Sequence, residues 1–138
     1  MFMSLLKEAS ELASQCFSIA NKFKSLYGSY QGAMGTLESL SSECNTTATM
    51  IMSIHGILVN KPATLSRNSS VIESFRDSIT QCSRAVEELN KELSKYGNVG
   101  GVSERARFTI NENHLKELLQ TIRNQRSVVH FVVSCLQT

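Results

Sequence analysis

The chain has no tryptophan and a single proline, Pro62, in 138 residues. Proline removes a helical N–H and clashes with the preceding turn, so its scarcity leaves most of the length open to long helices. No apolar run approaches the ~20 residues that a membrane-spanning helix requires. The apolar start, Met1-Phe2-Met3-Ser4-Leu5-Leu6, meets Lys7, Glu8 and Glu11 before the core of a secretory signal can form. Neither sign of charge dominates: 14 Lys and Arg against 12 Asp and Glu leave +2. That balance is too even for the clustered basic stripe of a nucleic-acid binder. A soluble, cytoplasmic protein with no nucleic-acid partner is expected.

Chemical motifs are equally scarce. The four cysteines, Cys16, Cys44, Cys82 and Cys135, form no CxxC pair, and each falls on an apolar helical position. Reduced, buried thiols are expected rather than disulfides. His55, His114 and His130 stand in neither an E-x-x-H nor an H-E-x-x-H frame, which argues against di-iron and zinc-protease bundles. There is no G-x-S-x-G elbow, and Asn98-Val99-Gly100-Gly101 lacks the lysine and Ser/Thr of a phosphate loop. Asn45-Thr46-Thr47 and Asn68-Ser69-Ser70 match the glycosylation triplet, but without a secretory signal both are read as chance. No catalytic residue, metal ligand or cofactor is assigned.

What the chain does contain is one repeated period. Hydrophobic residues make up 41% and charged residues 19%, a globular rather than a disordered balance. In the first segment Phe2, Ala9, Cys16 and Phe23 recur every seven residues, as do Leu5, Leu12, Ile19 and Leu26. Leu6, Ala13, Ala20 and Tyr27 flank them, so three rows of seven are apolar, the pattern of a bundle helix. Gly28 follows as a C′ residue.

A second segment repeats through Tyr30, Leu37, Cys44, Ile51 and Leu58, with Leu40, Thr47 and Ile54 beside them. Gly32, Gly35 and Gly56 weaken it, and Gly28, Gly32 and Gly35 are read as permitting close helix approach or a bend. Asn60-Lys61-Pro62 ends it, because the residue before proline disfavours the α region. Ser70-Val71-Ile72-Glu73 has the form of a capping box. Beyond it Ile72, Phe75, Ile79, Cys82, Val86, Leu89, Leu93 and Tyr96 alternate in steps of three and four. Gly97 closes that helix.

The last segment reads as two parts, a short turn over 103–108 and a main helix capped by Asn111, with Ile110 and Leu115 as a hydrophobic staple. Its buried face is Leu115, Leu118, Leu119, Ile122, Val129, Val132, Val133 and Leu136. The stretch 127–133 has strand propensity, yet a lone strand among helices would have no pairing partner, so helix is expected. The prediction is one all-α domain over 1–138. It is an antiparallel four-helix bundle with helices near 2–27, 30–58, 70–96 and 111–136, and room for a short extra helix before the last.

Two surfaces remain as candidates. Phe2, Met3, Leu5, Leu6 and Leu12 place a strong apolar stripe at a chain terminus, either as core or as a segment that swings out to meet lipid or a partner groove. Arg105, Arg107, Arg123 and Arg126, with Lys116 among them, read as a solvated helix face that could meet phosphate or anionic lipid.

The order and texture of the whole chain resemble the fungal N-terminal domains of STAND (NLR-like) proteins, of the HeLo and HeLo-like group. An apolar first helix, Leu5 to Leu26, leads into one carrying Leu37-Glu38-Ser39-Leu40-Ser41-Ser42-Glu43. Then come Cys82-Ser83-Arg84-Ala85-Val86-Glu87-Glu88-Leu89, the basic turn Glu104-Arg105-Ala106-Arg107-Phe108, and a final helix from Leu115 through Ser127. The resemblance implies a bundle of four or five helices that precedes a STAND nucleotide-binding module in cis and acts in nonself recognition and regulated cell death. It also implies oligomerisation, followed by targeting of the plasma membrane through the first helix. One departure stands out: Lys7, Glu8, Glu11, Lys22 and Lys24 charge the outer face of that helix, where such domains often begin nearly uncharged. The alternative is a non-lytic bundle that self-associates or serves as an adaptor.

Overall fold

The computed structural model describes residues 2–26, 34–94 and 102–137. Four long helices, α1 (Phe2–Leu26), α2 (Met34–Asn60), α4 (Ser69–Ser94) and α5 (Val102–Gln137), pack as an all-α bundle. The single-turn α3 (Thr64–Arg67) bridges α2 to α4. No strand occurs among the described residues, and 127–133 is helical as expected.

The apolar rows predict the core. Leu5, Leu12, Ile19 and Phe23 of α1 meet Leu37, Leu40, Ile51, Ile54 and Leu58 of α2 and Phe75 and Leu89 of α4 in one continuous buried cluster. Leu115, Ile122, Val129 and Val132 add the face of α5. Tyr27, Gly28, Tyr30, Gly32, Tyr96, Gly97 and 98–101 lie outside the described residues.

Neighbours in sequence run antiparallel. Ser41 Oγ of α2 donates to the Ala20 carbonyl of α1 at 2.9 Å, which sets the α1–α2 register. Ser78 Oγ of α4 faces the Gln125 carbonyl of α5, and Glu88 faces His114, so residue numbers fall on one helix as they rise on the other. The α2–α5 contact runs the other way. Thr36 meets Glu112 and Glu43 meets Arg123 and Arg126, so these two helices, distant in sequence, lie parallel. Periodicity shows which face of a helix is apolar but carries no information about which neighbour covers it.

Several helix ends differ from expectation. The extra turn of helix falls at Thr64–Arg67, after Pro62, and not at 103–108. Val102–Gln137 is one helix, so Asn111 is interior to it rather than a cap. Beyond Gly101 the stretch has no proline or glycine, and Glu104, Arg105, Ala106 and Arg107 are good helix formers. α4 starts at Ser69, one residue before the expected cap. The Asn68 carbonyl accepts the Ile72 N–H at 2.9 Å, and Glu73 pairs forward with Arg76 at 3.5 Å instead of closing a capping box. α2 ends at Asn60, as Pro62 requires.

Gly35 is no site of close helix approach: a Cβ there, and likewise at Gly56, would meet nothing within 4 Å. Replacing a helical glycine by alanine removes backbone entropy from the unfolded chain without a clash. Thr47 is fully buried, and its Oγ1 has no hydrogen-bond partner. A hydroxyl left unmade in the interior costs about 1–3 kcal/mol. Gly56→Ala and Thr47→Val are each expected to raise unfolding stability by about 1 kcal/mol, measured as a higher urea midpoint with unchanged slope.

Candidate functional site

Three places in the bundle carry polar or reactive groups in an arrangement beyond ordinary packing. The first joins α2 to α5. Glu43 sits beside the core residue Cys44, with its side chain only 15% exposed. Arg123 Nε donates to its Oε1 at 3.4 Å, and Arg126 Nε donates to its Oε2. A carboxylate so nearly desolvated needs this pairing. The two arginines, half-exposed, keep part of their hydration, so the arrangement resembles a pin between helices rather than an open anion site. Of the expected basic surface, Arg123 and Arg126 are thus engaged with Glu43, while the side chains of Arg105 and Arg107 lie outside the described residues.

The second place is the anchoring of α1. Leu5, Leu6 and Leu12, read from sequence as core or contact residues, are 0%, 8% and 1% exposed and belong to the core. The side chains of Phe2 and Met3 lie outside the described residues. Lys7, Glu8, Glu11, Lys22 and Lys24 face solvent. Among the described residues no ion pair joins α1 to another helix, and its one hydrogen bond to a neighbour is the one Ala20 accepts from Ser41. Polar pairs link α2 to α5 and α4 to α5 instead.

A seam of small residues is the third. In the register set by Ser41 and Ala20, Ala13 of α1 lies level with Ala48 of α2, and Cys16 with Cys44, all of them buried. Cys82 of α4 closes on the same level, and none of the four cysteines is joined in a disulfide. Burial pushes the Cys44 thiol up to about 12, with the neighbouring Cys82 and Glu43 adding to it. Burial likewise raises Cys82 to about 11, against a hydrogen bond with Ser78. Cys16 is raised furthest, by burial first and then by Cys44 and Cys82. Cys135 on α5 is half-buried.

Open clefts also lie among the described residues. One of about 470 Å³ lies where α2 and α5 end, lined by Ile57, Asn60, Lys61 and Leu136. Another of about 360 Å³ lies between α1 and α4, with Leu12 among Glu8, Glu11 and Glu87. No group of three or more His, Cys, Asp or Glu among the described residues is placed to hold a metal ion. His55 is half-buried at the core edge, His114 lies between Glu88 and Glu117 at 3.9 and 3.8 Å, and His130 is exposed. No helix of the described residues is long and apolar enough to cross a membrane.

Sequence reading singled out neither the Glu43 pin nor the thiol seam as a unit. Glu43 flanks a core row, which is a weak signal, but its partners lie 80 and 83 residues away. No family model, curated protein or solved structure matches the chain.

Two outcomes follow. Glu43→Ala should cost about 1–3 kcal/mol, and Arg126→Ala in the Glu43→Ala background should add almost nothing, which a double-mutant cycle on denaturant unfolding reads directly. The raised thiols also bind their protons more tightly folded than unfolded. Stability is therefore intact below the ordinary thiol value near 8.5 and falls as pH rises above it, by about 1.4 kcal/mol per unit for each thiol. The triple variant with alanine at Cys16, Cys44 and Cys82 should show a flatter alkaline limb between pH 9 and 11 in the same assay.

Proposed function

We propose that this chain is a non-catalytic effector or signalling domain that works by handing the apolar face of α1 to another apolar surface, a second copy or an anionic membrane interface. The observation that carries this is how α1 is held. Its contacts are almost wholly apolar, whereas polar pairs cross-link α2, α4 and α5. Apolar attraction is non-directional, so another apolar environment can replace it. Ion pairs with fixed partners are less readily exchanged.

The energetics set the terms. Freeing Leu5, Leu6, Leu12, Ile19 and Phe23 into water would cost about 10 kcal/mol at 1.5–3 per large side chain. That is comparable with the whole stability of a domain this size. Release is therefore coupled to reburial, in an oligomer or at the headgroup boundary, and does not occur into bulk water. With its charged outer face, α1 fits an interfacial amphipathic helix better than a spanning one.

This reading agrees with the resemblance to HeLo-like N-terminal domains of fungal STAND proteins. On it, the protein would sit in the cytoplasm, precede a nucleotide-binding module in cis, and reach the plasma membrane on activation in nonself recognition and regulated cell death. The second reading, a non-lytic self-association or adaptor bundle, has one observation in its favour: Phe17, Met52, Val59 and Phe131 are large apolar side chains left exposed on a closed bundle.

Dye release from vesicles of anionic and of neutral lipid separates the two. The intact chain is expected to release dye from anionic vesicles, and Leu5→Glu or removal of 2–12 to abolish release. A folded chain that releases nothing from either vesicle, while scattering light as a dimer or larger, leaves the adaptor reading.

A further inference from the structure

The seam between α1 and α2 bears directly on how α1 is retained. Ala13, Cys16 and Ala20 face Ala48, Cys44 and Ser41 in antiparallel register, all six between 0% and 5% exposed. Small residues at each level let two helices approach at the near end of the usual 8–10 Å spacing. The two cysteines thus stand at the same height in the buried contact between α1 and α2. Cys82 of α4 approaches from the third helix.

We infer that Cys16 and Cys44 form an oxidation-operated latch, in which a disulfide between them ties α1 to α2 and holds the bundle closed. The inference rests on the reading that α1 leaves the bundle. In the closed state both thiols are sealed from solvent and stay protonated, so they are inert. A partial opening of α1 exposes one thiol to a peroxide. Its thiolate attacks the peroxide, the O–O bond breaks, sulfur is oxidised to the sulfenic acid, and the leaving oxygen departs as water after taking up a proton. The second thiol then attacks that sulfur as the helix re-closes, the S–O bond breaks, and a second water leaves as the disulfide forms. Two thiols and one peroxide give one disulfide and two waters. Reduction by a dithiol reverses the tie and restores the release of α1.

The test treats the whole chain with hydrogen peroxide in dilute urea, which populates local opening. Free thiols are counted before and after, and linked peptides are mapped by mass spectrometry. The expected result is loss of two of the four thiols, with a single intramolecular link between the peptides carrying Cys16 and Cys44. Cys16→Ala and Cys44→Ala, checked for helix content by circular dichroism, should each abolish that link, while Cys82→Ala and Cys135→Ala should leave it. Mapping on the unaltered chain keeps the test valid if a variant fails to fold. Four thiols persisting, or a link that runs through Cys82 or Cys135, would overturn the latch.

Dye release is then compared between the oxidised and reduced chain. At least a tenfold slower release in the oxidised form, recovered with dithiothreitol, supports the latch acting on α1, and equal release overturns it. If the link forms and neither form releases dye, the membrane reading fails and the latch survives only where oxidation blocks self-association instead; unchanged self-association overturns it.

Discussion

A carboxylate taken most of the way out of water has to find positive charge, and Glu43 finds it across the interface between α2 and α5. Its two oxygens meet Arg123 and Arg126, which lie one helical turn apart on α5. The pairing holds two antiparallel hairpins, α1 with α2 and α4 with α5, in one relative placement. Apolar burial supplies most of the favourable energy, but it is non-directional and tolerates neighbouring registers almost equally. A desolvated charge is far less tolerant. Sliding α5 by one turn along α2 would leave Glu43 with one arginine in place of two, and a slide of two turns would leave it half-buried with neither, at a cost of several kcal/mol. Thr36 and Glu112 mark the same register nearer the starts of α2 and α5.

The anchoring of α1 follows a different logic. Its stripe is as deeply buried as any in the bundle, yet polar contacts to the rest reduce to one hydrogen bond among the described residues. What holds it is apolar contact through Leu5, Leu12, Ile19 and Phe23, more of it with α2 than with α4. That makes α1 costly to expose to water and inexpensive to transfer to another apolar surface. The small-residue seam with α2 brings Cys16 and Cys44 level, so the contact that retains the helix is also where a covalent tie could retain it further.

Much of the fold was legible in the sequence because amphipathic helices write their buried face into a period. Leu5, Leu12 and Ile19, then Leu37, Cys44 and Ile51, then Phe75, Ile79 and Cys82 were all placed in the core by spacing alone, and all are buried. Pro62 announced the end of α2, since the α region is closed to the residue before it. Local signals misled where two local structures had similar energy. Ser70 and Glu73 offered a capping box, but the helix begins two residues earlier, with the Asn68 carbonyl accepting the Ile72 N–H. Asn111 offered a cap in a stretch whose neighbours propagate helix just as well, and propagation prevailed. The extra helical turn, too, appeared after Pro62 rather than before Asn111.

The candidate site was much less legible. Leu5, Leu6 and Leu12 could be marked as apolar, but whether they face a core or a surface depends on what α2 and α4 cover. The pairing of Glu43 with arginines some 80 residues later, the parallel course of α2 and α5, and the level of Cys16 with Cys44 are all relations between helices. By itself, then, the sequence determined four amphipathic helices, their buried faces and the absence of long apolar spans, because each of these is a property of a segment and its own period. Only the tertiary structure decided which helix lies beside which, where charge is buried and which thiols meet, because those depend on distances across the bundle that no local pattern encodes.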